Sequence, residues 1–126
     1  MSIAEEQKVE RVCFVFELKP GAESEYRRRH DEIWPEMTQL LTDAGISDYS
    51  IFSAGSLFTD GPLMIGVLKA SPDWSTSSSI LARSEIQRRW GEAMHDLIRW
   101  QLNDQGDLLR LSEVFRQPPT VDERQS

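Results

Sequence analysis

Residues 11–18, RVCFVFEL, alternate Val12, Phe14, Phe16 and Leu18 with Cys13, Val15 and Glu17, and both sets are apolar until Glu17. A strand with one apolar face can lie between core and water. A strand apolar on both faces has to be covered on both. Helices of the same chain can cover one side. The other side needs a second layer, and the expected one is another subunit. Lys19-Pro20-Gly21 ends the strand.

Helical periodicity follows. Across residues 22–45, Ala22, Tyr26, His30, Ile33, Trp34, Met37, Leu41 and Ala44 recur at spacings of three and four. Pro35 has no N–H to donate and biases Trp34 away from helical angles. The spacing therefore predicts two helices, with a break near 31–35, Pro35 in the first turn of the second, and Gly45 as its stop. Residues 48–70 read as a hairpin, with Tyr49, Ile51, Phe52 and Leu57 in one arm, a turn at TDGP, and Leu63 to Leu68 in the other. SPDWSTSSSILA (71–82) is serine-rich and reads as a loop or a short helical turn. Residues 83–100 carry a helical stripe of Ile86, Trp90, Met94, Leu97 and Ile98, and Ser84 and Gln87 stand at capping-box spacing. A turn at 103–107 leads to a last strand, LLRLSEVFR.

The order β, α, β, β, α, β predicts an α+β, ferredoxin-like βαββαβ fold: a four-stranded antiparallel sheet with both helices on one face. One domain over 9–117 is expected, with flexible tails at 1–8 and 118–126. The doubly apolar first strand makes a homodimer the expected assembly. A formal net charge of -7 argues against a nucleic-acid partner, and the run Arg27, Arg28, Arg29 reads as a solvated face. No stretch approaches the roughly 18 apolar residues of a membrane span. The start, MSIAEEQKVE, does not resemble a signal peptide, and Cys13, the one cysteine, reads as a small buried hydrophobe. A soluble cytoplasmic protein is expected.

With two histidines, His30 and His95, and no HExxH or CxxC, neither a metal nor a redox cofactor is expected. Tyr26 and His30 lie four residues apart on one helix face and point toward the sheet. Tyr49 can reach the same space from a strand, and Trp90 lies on the inner stripe of the second helical segment. Aromatics with a few polar tips are the usual lining of a small-molecule pocket. The same residues at the same spacings also make an ordinary core, so spacing alone leaves the function open.

The motif narrows it. EYRRRHDEIWPEM (25–37) resembles the signature of the L-rhamnose mutarotase family, a tyrosine followed by R-R-H and I-W-P-E. YSIF from Tyr49, QRRWGEAM (87–94) and LSEVF (111–115) resemble further family segments in the same order, so the resemblance spans roughly residues 9–117. It implies a dimeric α/β barrel of ferredoxin-like subunits that interconverts the α and β anomers of L-rhamnopyranose without cofactor. It also implies a proton donor at His30 and sugar contacts at Tyr26, Tyr49 and the tryptophan pair beginning at Trp90.

The chain departs from that pattern where the sugar would be fitted. Trp90 is followed by Gly91 instead of a second tryptophan, Asp31-Glu32 replaces the usual N-P, and Phe52 stands where a tyrosine is expected. The acid–base pair is kept while the wall is altered. The expected function is an aldose 1-epimerase for L-rhamnose or a related 6-deoxy sugar. The alternatives are a cofactor-free monooxygenase on the same topology and a non-catalytic sugar-binding module.

Overall fold

A computed structural model of the chain describes residues 8–118. Apart from residues 8 and 118, the two expected tails lie outside the described residues. Strand β1 (Glu10–Leu18) is followed by α1 (Glu23–Asp31), α2 (Pro35–Asp43), β2 (Ile46–Ser53), β3 (Leu63–Ala70), α3 (Trp74–Ala82) and α4 (Glu85–Met94). A 3₁₀ turn, His95–Leu97, then leads into β4 (Ile98–Trp100), and β5 (Arg110–Leu111) follows. The sheet runs β2-β3-β1-β4, with β5 also paired to β1, and every pairing is antiparallel. This is the ferredoxin-like α+β arrangement.

The double character of β1 is realised. Val12, Phe14, Phe16 and Leu18 are buried under the helices with Met64 and Leu68 of β3. Cys13 and Val15 pair with Val67 and Ile65 on the opposite face, where all four are half-buried. Phe52 of β2 and Leu111 of β5 join that face, and Phe52 is 60% exposed.

Pro35 divides the helical region as its chemistry requires. It occupies the first turn of α2, with Trp34 extended before it. Gly45, at φ +85°, turns the chain from α2 into β2, in the left-handed region that glycine adopts without steric cost.

Four expectations are corrected. The serine-rich segment forms a full helix, α3, because Asp73 caps its N-terminus and Ser77 Oγ, fully buried, donates to Ala44 O at 2.6 Å. The second helix stops at Met94, and Ile98–Trp100 pairs with Glu17 and Leu18 as β4. Of the expected last strand only Arg110–Leu111 forms a strand, next to an isolated bridge of Leu108 to Leu102, while Val114 and Phe115 are exposed. Leu57 lies in the connection between β2 and β3, 82% exposed, and not in a strand arm.

Candidate functional site

The helices and the sheet enclose an open cleft of about 1720 Å³. Tyr26, His30, Tyr49, Trp90 and Gly91 all line it. Their positions follow from local structure.

His30 sits in the last turn of α1, one residue before that helix ends. Its Nδ1 lies 3.1 Å from the Tyr26 carbonyl oxygen one turn back. A carbonyl only accepts, so Nδ1 carries the proton and Nε2 holds the free lone pair. The imidazole stacks on the Tyr26 ring at 4.2 Å and meets Trp90 edge-on at 5.3 Å. Trp90 in turn meets Trp34 edge-on at 5.2 Å, so the residue before Pro35 backs the same wall. Burial pushes the His30 pKa below its ordinary 6.5, against smaller opposing effects of the Tyr26 carbonyl and the Asp31 carboxylate. The neutral imidazole is thus the resting form at pH 7.

Tyr26 is buried, its ring 5.8 Å from Phe16. Burial raises the pKa of Tyr26, as does the nearby Tyr49 phenol, and burial also raises that of Tyr49. Both hydroxyls stay protonated through the neutral range and can donate. Tyr49 reaches the cleft through a β-bulge. β2 pairs Ser47 with Lys69 and Ser50 with Val67, so two residues oppose Leu68 alone, and Asp48 takes φ 50°. An unbroken register would turn Tyr49 onto the open face. The extra residue returns it to the helix side, where its ring lies 6.1 Å from Phe14.

Three side chains that brace the fold or line the cleft are not legible from spacing. Arg29, expected on a solvated face, is only 25% exposed at its side chain and bonds Asp96 Oδ1 at 2.8 Å, the Ala93 carbonyl at 2.7 Å and Glu25 at 2.7 Å. It ties the end of α1 to the end of α4 and so holds His30 against Trp90. Glu17 is 2% exposed and accepts from Gly61 N–H, Arg99 and Trp100 Nε1. The Gly61 bond, ahead of the other two, keeps its carboxyl below the usual range. Gln87 lines the cleft wall on α4. Of these, Glu17 carried one sequence signal, a lone acid closing an apolar strand. Arg29 carried only its place in the motif of residues 25–37, and Gln87 only its capping-box spacing and its place in residues 87–94.

His95 is exposed. Among the described residues no three His, Cys, Asp or Glu side chains cluster closely enough to hold a metal ion, and no helix is long and apolar enough to cross a membrane.

Fold and cleft together define a ferredoxin-like protein with an aromatic, histidine-bearing cleft. A family model for L-rhamnose mutarotase matches residues 11–117. The L-rhamnose mutarotase of Acidiphilium cryptum is 41% identical over 113 residues, 87% of this chain and all of that one. That of Brucella anthropi is 36% identical over 109 residues, covering 86% and 97%. The crystal structure of the L-rhamnose mutarotase from Formosa agariphila superposes with a TM-score of 0.66 at 34% identity, over 86% of this chain and 99% of that one. The chain belongs to the L-rhamnose mutarotase family, and with that membership comes its enzyme class, an isomerase acting on carbohydrates.

Proposed function

We propose that this chain is a mutarotase that interconverts the α and β anomers of L-rhamnose, or of a related 6-deoxy sugar, by acid–base ring opening at His30. The observation that carries the reading is the fixed tautomer of His30. Its Nδ1–H is committed to the Tyr26 carbonyl, which leaves Nε2 as a base beside two phenols in an aromatic cleft.

Ring opening moves two protons. Nε2 takes the proton of the anomeric hydroxyl, the C1–O5 bond breaks, and O5 gains a proton from Tyr26, Tyr49 or a water. The resulting aldehyde turns about C1–C2. Closure reverses the transfers: O5 attacks the other face of C1, and the imidazolium returns its proton to O1. His30 is therefore the acceptor in opening and the proton donor in closure. Its pKa below 6.5 and its position support both roles without an added cofactor. The apolar C–H face and methyl group of a 6-deoxy sugar suit Trp90 and Phe16. The single domain over 9–117 works as a homodimer in this reading, packed through the face of Cys13, Val15, Ile65, Val67 and Phe52. One unpaired cysteine accords with a cytoplasmic setting.

Saturation-transfer NMR on equilibrated L-rhamnose and L-fucose measures the reaction directly. Catalysed exchange of at least one sugar is expected, with a loss of roughly 10²–10⁴ in His30→Ala. An exchange rate equal to the uncatalysed one for both sugars refutes the mutarotase reading. Full activity in the variant removes His30 from its role.

A further inference from the structure

We propose that Gln87 and Gly91 form a subsite for a second sugar unit, so that the enzyme accepts reducing oligosaccharides that end in a 6-deoxyhexose. The inference rests on the mutarotase reading and deepens it. Three observations carry it.

The first is space. Gly91 lies inside α4 and lines the cleft, and a Cβ built on it meets nothing within 4 Å. A helix-interior glycine costs about 1 kcal/mol relative to alanine, and here no close packing requires it. The second is an unpartnered acceptor one turn away on the same helix face. Ser84 and Gln87 make only half of the expected capping box: Ser84 Oγ accepts from Gln87 N–H at 3.3 Å, while Ser84 N–H donates to Leu81 O at 3.0 Å. The Gln87 side chain is not drawn into the cap. Its Oε1 is buried with no hydrogen-bond partner among the described residues, a state that native structures rarely leave uncompensated. The terminal amide torsion is broad, so this oxygen can turn to a hydroxyl lodged over Gly91.

The third is extent. The cleft follows β1 from Phe16 back to Glu10, six residues at about 3.3 Å each, or about 20 Å. Its volume, about 1720 Å³, exceeds the roughly 300–1,000 Å³ of ordinary small-molecule pockets. Trp74, Ser78, Asn103 and Asp107 also line it. An aromatic face with hydroxyl, amide and carboxylate tips suits a second pyranose. Space for that unit begins where the family's second tryptophan side chain is missing.

The test compares three sugars by NMR anomer exchange: L-rhamnose, L-mannose, and a disaccharide whose reducing unit is L-rhamnose. The intact chain should exchange the disaccharide with a kcat/KM no lower than that for L-rhamnose. Gly91→Trp fills the space and should lower the disaccharide-to-monosaccharide ratio by about tenfold or more. Gln87→Leu removes one hydrogen bond and should lower the same ratio by roughly three- to tenfold. Exchange of L-rhamnose without exchange of the disaccharide overturns the subsite and leaves the mutarotase reading standing. Exchange of neither refutes that reading, and the subsite with it. A ratio unchanged in both variants overturns the subsite. L-mannose adds only a hydroxyl at C6; if it is exchanged faster than the disaccharide, the notch takes one hydroxyl group and no sugar unit.

Discussion

Gly66→Ala tests how closely the sheet controls the cleft. Gly66 on β3 pairs with Phe14 on β1, and the Phe14 ring lies directly over it. A Cβ at Gly66 would stand 2.5 Å from Cε1 and 2.8 Å from Cε2 of that ring, with Cζ nearer still. The backbone there needs no left-handed angle, so alanine on its own terms gains about 0.5–1 kcal/mol over glycine in a strand. Forcing an aromatic ring out of a packed core costs about 1–3 kcal/mol. The net is a destabilisation of about 1 kcal/mol, a fall in Tm of roughly 3–5 °C for a chain of this size. The ring has little choice of direction. It is flanked by Phe16 at 6.0 Å and Tyr49 at 6.1 Å and borders the cleft. A shift therefore reaches Tyr49, and anomer exchange should weaken together with stability. Thermal unfolding by circular dichroism and NMR exchange on the same preparation measure both. Adding Phe14→Leu should recover part of the Tm, because the two sites share one contact. A Gly66→Ala variant with a Tm at or above that of the parent, and with unchanged exchange, would refute the account of Phe14.

Three other outcomes are expected. The catalysed rate should hold below pH 6.5 and fall only through the depressed His30 pKa, because the neutral imidazole is the working form; an acid limb at or above 6.5 contradicts the burial of His30. Stability carries the same sign: the folded pKa lies below the unfolded one, so the His30 contribution is complete above about pH 6.5 and is lost as pH falls through the folded value. Tyr26→Phe keeps the ring against Phe16 and His30, so Tm should shift little while exchange drops by about tenfold or more; full activity leaves Tyr49 or water as the donor to O5. Val15→Lys sets a charge in the middle of the open sheet face and should give a monomer by light scattering, whereas a persistent dimer would place the interface elsewhere.

What was legible in the sequence was what short-range rules control. Pro35 divides the helices because a missing N–H and the restriction on Trp34 act within a few residues. Tyr26 and His30 were found because a spacing of four puts them on one face. The misses share a different cause. Ile98 continues the stripe of Met94 and Leu97, so periodicity extended the helix, and only pairing with Leu18 shows a strand. The serine-rich α3 has only a sparse apolar face, Trp74, Ile80 and Leu81, and a serine completes it: Ser77 is buried because its hydroxyl bonds a carbonyl 33 positions earlier. Arg29 reads like its two neighbours until Asp96, 67 positions later, appears beside it. Long-range partners decide these cases, and a single sequence does not record them.

The departures from local rules are themselves ordered. α1 ends just beyond His30, and Trp34, the residue before the proline, backs Trp90 of the cleft wall. Asp48 accepts a left-handed backbone, uncommon outside glycine but tolerated by aspartate, and the bulge it makes turns Tyr49 to the helix side. Gly91 interrupts a helix with no close contact that needs it, and Gln87 forgoes half of a cap. Each is unfavourable locally, and His30, Tyr49, Gln87 and Gly91 all line one cleft. Sequences that specify one fold keep local and global preferences consistent, and the exceptions gather at sites under functional demand. The first two exceptions set His30 and Tyr49, the acid–base groups of the proposed mechanism, at one cleft. The last two act on one helix face a turn apart, and they remove bulk and free an acceptor. On the proposed reading, that pairing separates the catalytic part of the site from the part that selects the sugar.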